Sequence, residues 1–253
     1  VFKTLGKYVA YDLSWYKTKG ALNPLYPRPF RLEKFQIPKL RIVNIDKNGT
    51  TILESVIGYN ADIFKRYEKG NDYNFNGYWQ YYTYYENIIP ILQRELKLKP
   101  EVYTPQYLEA RKMIENTNSV SMHVRRGDYQ LHRVGAFRDL PAKYYFDTLE
   151  IIEGDCLFIF SDDIPWCKET FRQKFFERQI VFIDLEDYLC FELMRLCKNH
   201  INTNSTFSWW AAILNQNPDK KVICPLTYQG DTKENSKNLR YPKEWIKIED
   251  YAN

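Results

Sequence analysis

The chain has 253 residues, 44% hydrophobic and 27% charged, an ordinary globular composition with room for two domains of usual size or one large one. A formal net charge of +4 is too mild for a nucleic-acid binder, which concentrates a basic stripe, and suits a small anionic ligand held in one place. No apolar run approaches the ~20 residues of a membrane span and none reads as a secretory signal, while the five cysteines form no CxxC pair, so a reducing compartment with most of them buried is expected.

Val1 to Val9 reads as the end of a helix running into a strand, Tyr8 to Leu13. Opening in mid-element, it leads us to expect further residues ahead of it. Lys17 to Pro29 holds Gly20, Pro24, Pro27 and Pro29 and reads as an irregular loop. Leu32 to Phe35 is a short strand or turn, and Asp46 to Gly49 is a turn. Thr50 to Ile57 fits an extended hairpin partner as well as a short helix. Phe75 to Tyr85 crowds aromatics around Gly77, and burial statistics favour a core strand and turn over a sugar-facing edge. Asn87 to Leu96 has helical spacing with Pro90 near its start, and Glu101 to Asn116 reads as a second amphipathic helix. A domain boundary is expected after Thr117, giving units 1–117 and 118–253.

From there the pattern is strand–helix alternation, the signature of a parallel sheet with helices on both faces. Ser119 to Val124 is a short buried strand, followed by a helix over Ala142 to Ile152 and an apolar strand over Cys156 to Phe160. A helix over Ile164 to Phe176, a strand over Ile180 to Ile183 and a helix over Tyr188 to Cys197 come next. His200 to Thr203 is a short strand, Asn204 to Asn215 a helix, and Lys221 to Pro225 a last strand. Trp245 lies in a closing element.

Three strand ends carry chemistry. In open α/β sheets ligands bind outside the carboxyl ends of the strands. The first strand ends in Arg125-Arg126-Gly127-Asp128. Paired guanidiniums offer rigid donor forks suited to phosphate, Gly127 allows a sharp turn, and Asp128 can orient an arginine. The plainer reading is an internal Arg–Asp ion pair closing the turn. The second is Ser161-Asp162-Asp163, where a carboxylate could accept from a ribose or guanine, or cap the following helix before Pro165. The third is Asn204-Ser205-Thr206-Phe207-Ser208. Asn204 or Ser205 can cap the helix, leaving the N–H groups of Thr206, Phe207 and Ser208 as an anion site at the positive end of the helix dipole. A P-loop, a GxGxxG fingerprint and metal-ligand spacing are all missing from the sequence.

The ordered segments His123-Val124-Arg125-Arg126-Gly127-Asp128-Tyr129, Phe160-Ser161-Asp162-Asp163 and Asn204-Ser205-Thr206-Phe207-Ser208-Trp209-Trp210 resemble the motifs of the α-1,2-fucosyltransferase family, glycosyltransferase family 11. Gly77-Tyr78-Trp79-Gln80 and Tyr11 to Tyr16 are similar to that family as well. The resemblance implies an α/β fold of GT-B type, two Rossmann-like domains facing a cleft. The N-terminal domain would be incomplete at its start, because the family's glycine-rich first loop lies ahead of Val1. It also implies inverting transfer of L-fucose from GDP-β-L-fucose to O-2 of a galactose-terminated glycan, with no metal and no cofactor. Its bacterial members serve surface-polysaccharide synthesis as cytoplasmic enzymes, soluble or peripheral at the inner membrane face.

By motif, Arg125 would bind the diphosphate, with Arg126 and Asp128 shaping that site. Thr206, Phe207 and Ser208 would cradle the β-phosphate, Asp162 or Asp163 would read guanine or ribose, and His123 would set the arginine loop. Asp128 is also the nearest candidate for a general base, though a carboxylate tied to arginine is a poor one. The alternatives are a fucosyltransferase of another linkage and a GDP-sugar-binding protein without activity.

Overall fold

The computed structural model describes residues 10–18, 22, 28–37, 41–43, 50–53, 62, 73–131, 139–171, 177–226 and 240–249. The expected helix end at Val1 to Val9, most of the Lys17 to Pro29 loop, the Asp46 to Gly49 turn and positions 54–57 and 172–176 lie outside the described residues.

Two small parallel ladders come first. β1 (Ala10–Asp12) pairs with β2 (Arg41–Val43), and β3 (Thr50–Leu53) with β4 (Tyr73–Asn76). The parallel pairing of β3 means that its described residues form neither a hairpin partner nor a helix. Leu32–Lys34 is a single 3₁₀ turn followed by a bridge from Phe35 to Leu98. The aromatic stretch departs from the core-strand expectation. Phe75 is 44% and Tyr78 84% exposed, and of Phe75 to Tyr85 only Tyr81 is fully buried. β4 belongs to a two-stranded ladder, which leaves its residues half-buried or exposed. Trp79 sits at φ 52°, a left-handed conformation uncommon for a bulky residue. Its carbonyl accepts from the Tyr85 hydroxyl at 2.7 Å.

α1 (Ile89–Glu95) opens on Pro90, as the spacing predicts. α2 (Pro105–Glu115) is shorter than expected at its start. Thr104 caps it by accepting from the Tyr107 N–H at 3.2 Å, and Pro105 occupies the first turn, where its missing N–H costs nothing. Pro100–Val102 is a separate 3₁₀ turn.

The rest of the chain builds one parallel sheet. Its elements are β5 (Ser119–Val124), α3 (Gly127–Leu131), α4 (Ala142–Ile151), β6 (Cys156–Ser161), α5 (Ile164–Phe171), β7 (Gln179–Ile183), α6 (Asp187–Leu196), β8 (Asn199–Ile201), α7 (Thr206–Leu214), β9 (Val222–Pro225) and β10 (Ile246–Ile248). The spatial order is β10-β9-β8-β5-β6-β7, with every pair parallel. Numbered from β5, this is 6-5-4-1-2-3, the doubly wound order, and the chain reverses direction across the sheet between β5 and β8. The closing element at Trp245 is the edge strand β10.

Alternation along β6 divides the core. Cys156, Phe158 and Phe160 face α2 and α6, while Leu157 and Ile159 face α4 and α5. β5 turns Val120, Met122 and Val124 to the second face and Ser119, Ser121 and His123 to the other. These buried polar groups are matched. Ser119 Oγ accepts from the Lys198 N–H at 3.1 Å, Ser121 Oγ lies 2.9 Å from His200 Nδ1, and His123 Nδ1 lies 3.3 Å from Thr203 Oγ1. A polar seam therefore joins β5 to β8 along its length and ends at the switch point. All five cysteines are free and buried, as composition suggests.

Candidate active site at the sheet switch point

The turn after β5 is fixed by the turn after β6. The Arg126 N–H donates to Asp162 Oδ1 at 2.9 Å, so the chain leaves β5 straight into α3. Gly127 starts that helix and has no positive φ, so its expected sharp turn is not formed.

Arg125 is held between two carboxylates. Its Nη2 contacts Asp128 Oδ1 at 2.5 Å and its Nη1 contacts Asp162 Oδ2 at 2.7 Å. The guanidinium also lies over the Tyr129 ring, 5.5 Å from its centroid, and a quarter of the side chain is exposed. The internal ion pair considered from the sequence is thus present, with two aspartates instead of one. Arg126 is caged more closely. It stacks on Trp166 at 4.0 Å, donates from Nε to Asp163 Oδ2 at 3.1 Å, and reaches Asp139 at 3.5 Å. Asp163 also caps α5, accepting from the Trp166 N–H at 3.1 Å, while Ser161 Oγ accepts from the Asp163 N–H at 2.9 Å. The capping reading of the Ser161–Asp163 segment holds at Asp163, which is an arginine partner as well.

The turn after β8 approaches from the other side of the switch point. Tyr129 donates its hydroxyl to the Asn204 carbonyl at 3.2 Å, and burial pushes that phenol's pKa up to about 12, so it stays a donor. Tyr144 does the same to the Asn202 carbonyl at 2.6 Å. The His123 ring packs against Phe207 with centroids 5.6 Å apart. Burial, then the charge of Arg125, push the His123 pKa down to about 3, so the imidazole is neutral.

At the start of α7 the residues divide by role. Ser205 is the N-cap, its Oγ accepting from the Phe207 N–H at 3.3 Å. The Phe207 amide is therefore engaged in the cap, and its ring turns inward onto Phe191 and His123. Ser208 is buried, with its hydroxyl donating to the Ser205 carbonyl at 3.4 Å. Thr206 and Phe207 are both partly exposed, and of the two Thr206 is the one whose backbone N–H is not given to the Ser205 cap. The structure thus gathers Arg125, Asp128 and Asp162 into one cluster, Arg126 and Asp163 into a second beside it, and ties the first to Asn204 through Tyr129. Among the described residues no three His, Cys, Asp or Glu side chains come together as a metal-ligand set.

Sequence reasoning missed two participants. Tyr129 lies within the first motif, four residues after Arg125 and so on the same side of a helical turn, a spacing that could have singled it out. Arg28, whose Nη2 meets Asp128 Oδ2 at 3.1 Å, sits between Pro27 and Pro29 in an irregular segment with no local signal of a partner 100 residues later.

The sequence model of glycosyl transferase family 11 matches residues 38–249. Over 190 residues the chain is 33% identical to an α-1,2-colitosyltransferase of Escherichia coli, covering 69% of this chain and 62% of that protein. Over 143 residues it is 35% identical to the O-antigen biosynthesis glycosyltransferase WbnK of Escherichia coli, covering 53% of this chain and 46% of that one. The chain therefore matches less than two thirds of the length of these relatives. Among solved structures it is similar to POFUT1 in complex with GDP, at 14% identity and a TM-score of 0.37, covering 57% of this chain and 50% of that one. A parallel α/β sheet of doubly wound order, the three motifs at its strand ends and a family match across most of the sequence agree: the chain belongs to glycosyl transferase family 11.

Proposed function

We propose that this chain binds the diphosphate of GDP-β-L-fucose at the β5–β8 switch point and transfers L-fucose, with inversion, to O-2 of a galactose-terminated glycan. In this reading residues 118–253 form the donor side and residues 1–117 the acceptor side. The observation that carries it is the meeting of Arg125 with the start of α7 through Tyr129 and Asn204, where a doubly wound sheet binds its ligand.

The acceptor O-2 forms a bond to the anomeric carbon as the bond to GDP breaks, and the hydroxyl proton passes to the departing diphosphate or to water. Negative charge then builds on the β-phosphate oxygens. Arg125 exchanges a carboxylate for a phosphate oxygen, and the positive end of α7 at Thr206 faces the same charge. Asp128 holds Arg125: both its oxygens accept from guanidiniums, an arrangement suited to a clamp, not to a proton acceptor. Both aspartates are engaged, Asp163 by Arg126 and the α5 cap and Asp162 by the Arg126 N–H and Arg125; nucleoside recognition is assigned to Asp162, whose Oδ2 is released when Arg125 turns to the phosphate. Arg126 and His123 act behind the site, fixing its two turns. No described helix is long and apolar enough to cross a membrane.

A second reading takes colitose as the sugar moved, since one similar protein is an α-1,2-colitosyltransferase. A donor and acceptor screen on the full-length protein, with the product linkage determined by NMR, separates the readings. Release of GDP from GDP-fucose with formation of an α-1,2-linked galactoside supports the first. GDP binding without turnover of any donor indicates a binding protein, and a product of another linkage overturns the O-2 assignment.

A further inference from the structure

We propose that Arg28 is a positioning residue for the diphosphate, holding Asp128 so that Arg125 can turn to the ligand. The inference rests on the donor reading above. Around the two strand ends three guanidiniums, Arg28, Arg125 and Arg126, face four carboxylates, Asp128, Asp139, Asp162 and Asp163. The carboxylates outnumber the guanidiniums here, so an anion is held only where guanidinium donors turn from a carboxylate towards it. Of the two arginines at the end of β5, Arg126 is stacked on Trp166 and engaged by Asp163 and Asp139, so Arg125 is the one able to turn to a ligand.

When Arg125 turns, Asp128 loses its shorter contact while remaining mostly buried, its side chain 13% exposed. A buried carboxylate left without a partner is costly. Arg28 already occupies its second oxygen, at 3.1 Å, from a side chain 59% exposed and free to follow. Arg28 thus keeps Asp128 neutralised while Arg125 is lent to phosphate. A surface ion pair without this role would contribute little to anything, and the two cases differ in what they predict for ligand binding.

The test is calorimetric titration of the full-length protein with GDP. Arg28→Ala is expected to weaken GDP binding about tenfold, the worth of one charge-assisted hydrogen bond, with an unchanged thermal midpoint. Arg28→Lys recovers most of the loss and Arg28→Glu deepens it. In an Asp128→Asn background the Arg28→Ala effect falls below about twofold, because Arg28 acts through that carboxylate. Equal GDP binding by wild type, Arg28→Ala and Arg28→Glu overturns the role of Arg28 alone, and so does an undiminished Arg28→Ala effect beside Asp128→Asn. Absence of GDP binding by the wild type overturns the donor site and this role with it.

Discussion

The hydroxyl of Tyr129, one helical turn beyond Arg125, donates to the carbonyl of Asn204, two residues before α7 begins. One side chain therefore both supports the Arg125 guanidinium on its ring face and holds the turn after β8 with its hydroxyl. Removing the hydroxyl alone separates these two jobs. Tyr129→Phe is expected to destabilise the protein by about 1–3 kcal/mol, the cost of leaving a buried acceptor short of a partner. It is also expected to weaken GDP binding by loosening the register of the two turns. Urea unfolding read alongside a GDP titration checks both, and unchanged values in both would remove the tie.

Arg125 carries the charge development of the proposed reaction. Arg125→Ala should lower turnover by roughly 10²–10³-fold, as loss of one preorganised donor to a developing oxyanion does. Arg125→Lys should recover only a part, because an ammonium cannot reproduce a fork shared with two carboxylates. Steady-state kinetics with a saturating donor decides, and near-normal turnover in Arg125→Ala takes this residue out of the mechanism.

Stability should depend on pH through the polar seam. His123 and His200 are both pushed down to about 3, each by burial first, then by Arg125 and Lys220 respectively. Unfolded, each titrates near 6.5. Below that pH the unfolded chain binds protons that the folded one does not, so stability falls as pH drops from about 6.5 towards 3. The loss is about 1.4 kcal/mol per histidine per pH unit, roughly 4 kcal/mol for the pair at pH 5. The urea midpoint at pH 7 and pH 5 measures it. A flat profile would mean that both imidazoles gain a proton within the fold, and half the slope that one does.

Gly154, in the turn before β6, is required by space. A Cβ there would stand 2.4 Å from Val120 Cγ2 and 2.8 Å from the Asn118 carbonyl oxygen. The second neighbour is backbone at the entry to β5 and cannot rotate away. Gly154→Ala is expected to cost about 1–3 kcal/mol, the usual price of overpacking, with GDP affinity preserved, since the opposite end of β5 carries the site. Unfolding curves of the variant and the parent test this.

The C-terminal sheet was legible because its central strands are buried: Val120 to Val124 and Cys156 to Phe160 are runs that few other structures accommodate. The chemistry at their ends was legible for the same reason, since a charged group placed directly after a buried strand has few places to go. The first hundred residues were harder to read. Thr50–Leu53 and Tyr73–Asn76 are partly exposed strands in a two-stranded ladder, where neither periodicity nor burial dominates. The Asp128 partner Arg28 was invisible for a different reason: its role is set by a contact across the fold and by nothing in its neighbours along the chain. At α7 the motif was clear but the division of labour was not, because whether Ser205 caps Phe207 depends on backbone angles that the residue types leave open.

In the proposed complex Arg125 and the start of α7 address one diphosphate. A crystal structure of the full-length protein with GDP tests it most directly. Diphosphate oxygens are expected within hydrogen-bond distance of both the Arg125 guanidinium and the backbone N–H of Thr206, with Arg125 withdrawn from at least one of Asp128 and Asp162. A diphosphate bound elsewhere, or one held by either group with the other facing away, would contradict it.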